Sequence, residues 1–189
     1  DNPVPTRAEV NDVFNAVYDR ADAVMLSGET SIGKFPIRAV QYMDRIIKTA
    51  EGFIPDLDPI EIDSNEPEMY ESVGHAVYEL AKVFEKVNFR GKIIMFTRGG
   101  KSPRKAAKYR PAFPILALTN NPKTARQMQL TWGVEPFYLP DMDFQSWEAE
   151  RIMQHGVEKM IQFGQIELKE HVICTVPSSI TPRRSSLVG

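Results

Sequence analysis

Four short apolar runs, Ile93-Ile94-Met95-Phe96, Ile115-Leu116-Ala117-Leu118, Val134 to Leu139 and Val172-Ile173-Cys174-Thr175-Val176, alternate with stretches of helical character. Helices are expected from Pro103, from Lys123 and from about Ser146 to Phe163, and one ahead of the first run carries Val73, Val77, Leu80, Phe84 and Val87 on one stripe. Strands alternating with helices in this way argue for a mostly parallel sheet with helices on its faces, an α/β architecture. The segment from about Glu68 to Gly189 is long enough to be a domain by itself.

The first 51 residues follow a different plan. Thr6 with Glu9 three positions later has capping-box spacing, and Val10, Val13, Phe14 and Val17 then recur at helical intervals. Ala21 to Leu26 reads as a strand, Ser27-Gly28-Glu29-Thr30 as a turn, and a second helix starts at Phe35-Pro36. One strand between two helices leaves its edges unpaired, and Ala23-Val24-Met25-Leu26 is apolar on both faces, as strands buried within parallel sheets are. Residues 1–51 therefore read as the end of a larger α/β domain. Residues 52–67 carry Pro55, Pro59 and Pro67 among Asp56, Asp58, Glu61, Asp63 and Glu66, a linker composition. The full length of 189 residues fits one ordinary domain, or one domain plus part of another.

A net charge of −2 conceals a strong asymmetry. Between Glu85 and Glu135 there is no acidic residue, while 11 of the 23 basic residues fall there. Such a segment suits an anionic ligand or a nucleic acid, with a solvated basic face as the competing reading. No apolar run approaches a membrane span, no secretory leader is recognisable, and the single Cys174 fits a reducing cytosol. A cytoplasmic location without membrane or nucleic-acid partners is the resulting expectation.

The best local constellation is Thr97-Arg98-Gly99-Gly100-Lys101-Ser102-Pro103. It follows an apolar run, and Ser102-Pro103 has the form of an N-cap and first helical position. Glycines admit close backbone approach to an oxyanion, the helix start adds a positive dipole end, and Arg98 and Lys101 add charge. A phosphate monoester is the natural guest, and a tight capped turn without a ligand is the alternative. A nucleotide P-loop is excluded, because Met95 stands where that motif needs glycine. Ser27 and Glu29, at the carboxyl end of the expected strand, form a weaker candidate. His75, His155 and His171 have no metal-ligand spacing and read as structural, and Cys174 reads as buried and inert. Trp147 at a polar helix start is a candidate for stacking on a sugar, and Arg183-Arg184-Ser185-Ser186 for adding charge to a phosphate site.

Asn2-Pro3-Val4-Pro5-Thr6-Arg7-Ala8-Glu9-Val10 and Asp22-Ala23-Val24-Met25-Leu26-Ser27-Gly28-Glu29-Thr30 resemble the pyruvate kinases, as do Lys108-Tyr109-Arg110-Pro111 and Lys123-Thr124-Ala125-Arg126-Gln127. The resemblance implies a remnant of a (β/α)8 barrel over residues 1–51, a linker over 52–67, and a C-terminal regulatory α/β domain over 68–189. It implies a glycolytic phosphotransferase acting on phosphoenolpyruvate and ADP with Mg2+ and K+, whose catalytic lysine and metal carboxylates lie upstream, so that this portion alone is inactive and holds neither ion. Ser27 and Glu29 would then have secondary roles, and Arg7 and Glu9 would lie near a subunit contact of a homotetramer. Thr97, Arg98, Gly99, Gly100, Lys101 and Ser102, with Trp147, would bind a phosphate of a sugar phosphate or bisphosphate effector. The segment Val176 to Gly189 departs from the glycine-rich effector loop of the family, which leaves the effector's identity open. A stand-alone phosphosugar-binding module without catalysis is the alternative.

Overall fold

The computed structural model describes residues 2–54 and 69–176, which form seven helices and four strands. Arg183-Arg184-Ser185-Ser186 and most of the expected linker lie outside the described residues.

The chain divides into two compact units. The first contains α1 (Arg7–Tyr18), α2 (Gly28–Ser31) and α3 (Pro36–Glu51). The capping box at α1 is complete. The Glu9 carboxylate accepts from the Thr6 backbone N–H at 2.7 Å, and the Thr6 hydroxyl accepts from Glu9 N–H at 3.3 Å. The backbone bond holds the Glu9 carboxyl below its usual range. Pro36 opens α3, where its missing N–H costs nothing. The expected strand over Ala21 to Leu26 is absent, and Met25 is 83% exposed. A strand needs partners for its backbone groups, and the described residues of this unit contain no second strand.

The second unit contains α4 (Met69–Lys86), β1 (Gly91–Phe96), α5 (Lys101–Lys108), β2 (Ile115–Thr119), α6 (Pro122–Met128), β3 (Val134–Tyr138), α7 (Ala149–Gln162) and β4 (His171–Thr175). The four strands form one parallel sheet in the order β3-β2-β1-β4. Alternate residues of each central strand serve opposite faces. Ile93, Met95, Ile115 and Ala117 pack with Val77 and Ala81 of α4, Ala106 and Ala107 of α5, and Met128 of α6. Ile94, Phe96, Leu116 and Leu118 pack with Ile152 and Met160 of α7. The connections from β1 through β2 to β3 step along the sheet in one direction, and the crossover from β3 to β4 reverses it. Right-handed crossovers therefore place α7 on the face opposite α5 and α6. Cys174 is half-buried, and burial raises its thiol pKa.

On α4 the stripe expected from the sequence is split. Val77 is buried and Val73 and Phe84 lean on the core, but Leu80 is exposed and Val87 lies beyond the helix, also exposed. The helix is turned so that Gly74 meets α5 backbone to backbone: a Cβ there would lie 2.9 Å from the carbonyl carbon of Lys105. Beside this contact Glu71 bonds Lys105 Nζ and Lys108 Nζ, both at 2.7 Å, and accepts from the Tyr109 hydroxyl at 2.6 Å. The Lys105 and Lys108 ammonium groups, with that hydroxyl, hold the Glu71 carboxyl at about 2. Burial and the carboxylate push Tyr109 up to about 12.

Two predictions follow from this packing. A Cβ on Gly156 of α7 would lie 2.3 Å from Phe96 Cε1 and 2.8 Å from Leu118 Cδ2, so Gly156→Ala should cost about 1–3 kcal/mol in urea denaturation. Glu71 is depressed in the folded state, so its contribution is complete above the unfolded value of about 4.5 and falls away as pH drops toward 2. Melting temperature should decline through that window more steeply for the native chain than for Glu71→Gln.

Candidate functional site

The loop after β1 lies at the carboxyl edge of the sheet, beside the boundary between β1 and β4 where the chain direction reverses. Parallel sheets leave a crevice at such a point, and ligands settle there. Four interactions set the loop's shape. Thr97, buried at the end of β1, accepts a hydrogen bond from Gly100 N–H on its hydroxyl oxygen at 2.9 Å. Gly100 then adopts φ +77°, a left-handed conformation, and a Cβ there would also press on Met128 at 3.1 Å. The Arg98 carbonyl accepts from the Thr124 hydroxyl of α6 at 3.0 Å. The Arg98 guanidinium donates through Nη2 to the Phe144 carbonyl at 2.5 Å.

Helix α5 consequently starts earlier than the sequence suggests. Gly100 is its N-cap, no side-chain hydrogen bond caps it, and Ser102 and Pro103 are its second and third residues. The expected Ser102 cap is therefore corrected: once the Thr97 hydroxyl holds the Gly100 N–H, the left-handed glycine brings the chain into helical geometry two residues sooner. Gly99 and Lys101 are exposed and Ser102 is half-buried at this helix start. Lys101 Nζ stands 4.8 Å from the Tyr70 ring centroid. The helix dipole and the basic side chains make this end of α5 electropositive.

The segment between β3 and α7 borders the loop. Leu139, Met142 and Phe144 are buried in the α7-side core, and Asn120 donates to the Met142 carbonyl at 2.9 Å. The Asp143 carboxylate accepts from Gln145 N–H at 2.8 Å and Ser146 N–H at 3.1 Å, and these bonds lower its pKa. A cleft of about 470 Å³ lies among Arg98, Asn120, Asn121, Asp141, Asp143 and Gln145. Trp147 is half-buried against the core, with Arg151 Cζ 4.4 Å from its ring centroid and the His155 ring at 5.0 Å. His155 Nε2 lies 3.2 Å from Asp141 Oδ2 without an aligned hydrogen bond. His75 and His171 contact the rings of Tyr109 and Phe89.

The structure brings Thr97, Gly100 and Arg98 into one hydrogen-bonded turn and leaves Trp147 in an aromatic cluster three residues past Phe144. Asn120 and Phe144 were not singled out by the sequence, and Thr124 was marked there only as part of a family-like motif. Asn121-Pro122 did carry a local signal for that neighbourhood, since Asn121 caps α6 by accepting from Lys123 and Thr124 N–H. In the first unit, Glu29 accepts from Ser27 N–H at 2.9 Å across the start of α2, and Arg7 and Glu9 are exposed on α1. A cleft of about 310 Å³ is lined by Thr6, Glu9, Glu29 and Arg38 among others. Among the described residues no group of three His, Cys, Asp or Glu side chains could hold a metal ion, and no helix is long and apolar enough to cross a membrane.

Comparison with known proteins matches both units. The family model described as pyruvate kinase, alpha/beta domain, matches residues 71–186, and that described as pyruvate kinase, barrel domain, matches residues 1–40. A pyruvate kinase of Agrobacterium vitis is 39% identical over 172 residues, covering 91% of this chain and 35% of the relative. Pyruvate kinase 1 of Saccharomyces cerevisiae is 40% identical over 170 residues, covering 86% of this chain and 33% of the relative. A crystal structure of a pyruvate kinase from Cryptosporidium parvum aligns with a TM-score of 0.75 at 29% identity, over 93% of this chain and 35% of that one. The chain thus spans about a third of the length of these relatives.

Proposed function

The chain belongs to the pyruvate kinase family, and we propose on that footing that it is the C-terminal portion of an enzyme transferring phosphate between phosphoenolpyruvate and ADP, the portion that serves effector binding and subunit assembly. The single observation that carries the identity is the match of residues 71–186 to the family's alpha/beta domain. On this reading residues 1–51 close the catalytic barrel, 52–67 link it to the rest, and 68–189 form the regulatory domain. The whole enzyme is a cytoplasmic homo-oligomer, a tetramer, with Arg7 and Glu9 near a subunit contact.

Within the regulatory domain the turn Thr97 to Ser102 is the effector phosphate site. Its position at the reversal of the sheet supports this, as does the electropositive start of α5. The roles differ residue by residue. Thr97 and Gly100 shape the turn, Gly99 lets an anion approach the backbone, and Lys101 and Ser102 supply charge and a hydroxyl at the helix start. The ligand class is a sugar phosphate or bisphosphate. Trp147, half-buried beside Arg151, is the aromatic neighbour on which its sugar would rest.

Mg2+ and K+ belong to the catalytic chemistry of the family, where they offset phosphate charge. Among the described residues no three His, Cys, Asp or Glu side chains are grouped to hold such an ion. Ser27 and Glu29 have secondary roles, ordering water or relaying a proton at the barrel end.

Two outcomes are expected. The purified 189-residue chain, freed of contaminating enzyme, should give no phosphoenolpyruvate-dependent ATP formation, and measurable turnover would refute its being a partial enzyme. Fructose bisphosphate at a hundredfold excess over Kd should raise its melting temperature by at least roughly 5 °C, and Lys101→Ala should lose most of that rise. Equal melting curves for both chains with and without the ligand would remove the effector site.

A further inference from the structure

Arg151, His155 and Lys159 follow one another at four-residue intervals, so they share one face of α7. This row meets the strap Leu139 to Trp147, the chain that leads from β3 to the helix. The strap leaves the sheet at Leu139, whose N–H donates to the Thr119 carbonyl at 2.8 Å, and ends where Trp147 N–H donates to the Asp143 carbonyl at 3.2 Å. Between these points Asp141 Oδ2 lies 3.2 Å from His155 Nε2 and 3.6 Å from Lys159 Nζ. The Trp147 ring stands edge-on to the His155 ring, with centroids 5.0 Å apart and planes at 77°. His155 Nε2 is shut off from solvent and makes no hydrogen bond, although a carboxylate oxygen is so near. A buried nitrogen left unpaired costs stability, and histidine is the side chain whose charge ordinarily changes between pH 5 and 8.

We propose that His155 is a proton-controlled clasp between α7 and this strap: protonation of the ring turns its contact with Asp141 into a charge-assisted hydrogen bond that holds the strap on the helix, and loss of the proton releases it. The clasp involves no ligand and does not depend on the effector reading. In the protonated ring both nitrogens are donors, so Nε2 carries a hydrogen toward Asp141 whichever tautomer the neutral ring held. Burial raises the Asp141 carboxyl, but the bond to its own backbone and the charges of His155 and Lys159 bring it below its usual range, so it stays ionised while histidine titrates. The other charges around the ring decide the sign. On its own helix Arg151 and Lys159 oppose a new positive charge, and Glu158, three positions on and exposed, favours it. Arg151 is exposed and drawn over the Trp147 ring, with Cζ 4.4 Å from its centroid, and Lys159 already shares Asp141. From the strap, Asp143 is occupied by the Gln145 and Ser146 N–H groups. From the sheet, Phe96 and Leu118 meet the helix at Gly156, and neither titrates. Exposed cations are screened by solvent, whereas the contact at the buried Nε2 is screened much less, so the carboxylate at 3.2 Å prevails. A proton held more firmly with the strap in place stabilises that placement on the acid side, and the hold is lost as pH rises.

The test measures proteolytic cleavage within residues 139–147 of the 189-residue chain, of His155→Gln and of Asp141→Asn, at about pH 8 and about pH 5.5, either side of the ordinary histidine range. Circular dichroism checks that each chain is folded at both values. Dividing each rate by that of His155→Gln at the same pH removes the protease's own pH dependence. For the native chain this ratio should fall at least roughly threefold from the higher pH to the lower, as one charge-assisted hydrogen bond closes the strap, and for Asp141→Asn it should not fall. A constant ratio in the native chain, or a fall that persists in Asp141→Asn, would overturn the clasp. A second measurement needs no substitution. In nitrogen-15 NMR spectra of the native chain His155 is recognised among the three histidines by the closeness of its ring to that of Trp147. Its Nε2–H should give a signal protected from solvent exchange at the lower pH, and free exchange of that proton would overturn the clasp equally.

Discussion

The second unit depends on covering both faces of a four-stranded parallel sheet. Ile93 through Phe96 and Ile115 through Leu118 are almost fully buried, and at about 25 cal/mol per Å2 of apolar surface neither face can be left wet. Close approach of the helices meets this demand, and two glycines permit it. Gly156 lets α7 descend onto Phe96 and Leu118, and Gly74 lets α4 lie against the backbone of α5. Helices on both faces require the chain to reverse direction within the sheet, and the reversal falls between β1 and β4. The turn from Thr97 to Ser102 therefore lies at the carboxyl edge of the sheet beside that reversal, a position set by the same packing requirement that stabilises the core.

Much of this was legible in the residues. The apolar runs located all four strands to within a few positions, most sharply β1 and β2, whose buried residues are almost all apolar. A capping residue located the start of α1, where Thr6 bonds the local backbone, and the start of α6 falls one residue before the expected Lys123 because Asn121 caps it. The departures share one cause, a partner distant in sequence. Ala21 to Leu26 has strand composition, but strand structure also needs a neighbour, and none is present among the described residues of its unit. Ser102-Pro103 has the form of a helix start, but Thr97 bonds Gly100 and moves the start forward. Leu80 and Val87 keep the helical period of Val73, Val77 and Phe84, yet the close contact at Gly74 decides which side of α4 turns inward.

Charge shows the same limit more sharply. The interval from Lys86 to Val134 contains no acid, and on the sequence alone its basic residues sum to a strong positive field. In the folded chain Glu71 reaches in from α4 and pairs with both Lys105 and Lys108, and its side chain is only 12% exposed. That carboxylate is held ionised to about pH 2, so the pairing persists over the whole neutral range. Part of the apparent surplus is therefore spent on docking one helix against another.

Arg98 extends the argument from the helix to the turn. Counted by composition it belongs to the anion site, and by geometry it is already bonded to a carbonyl on the strap. A bonded arginine is not removed from the site, because its fixed charge remains beside the turn and four of its five N–H donors are not used by that bond. What changes is its role. The bond to the Phe144 carbonyl fixes the guanidinium beside the strap, so part of its hydrogen-bonding capacity already serves the fold. The number of basic residues near a turn thus sets how much positive charge is available, whereas the bonds those residues already make set how much of it is committed to the fold.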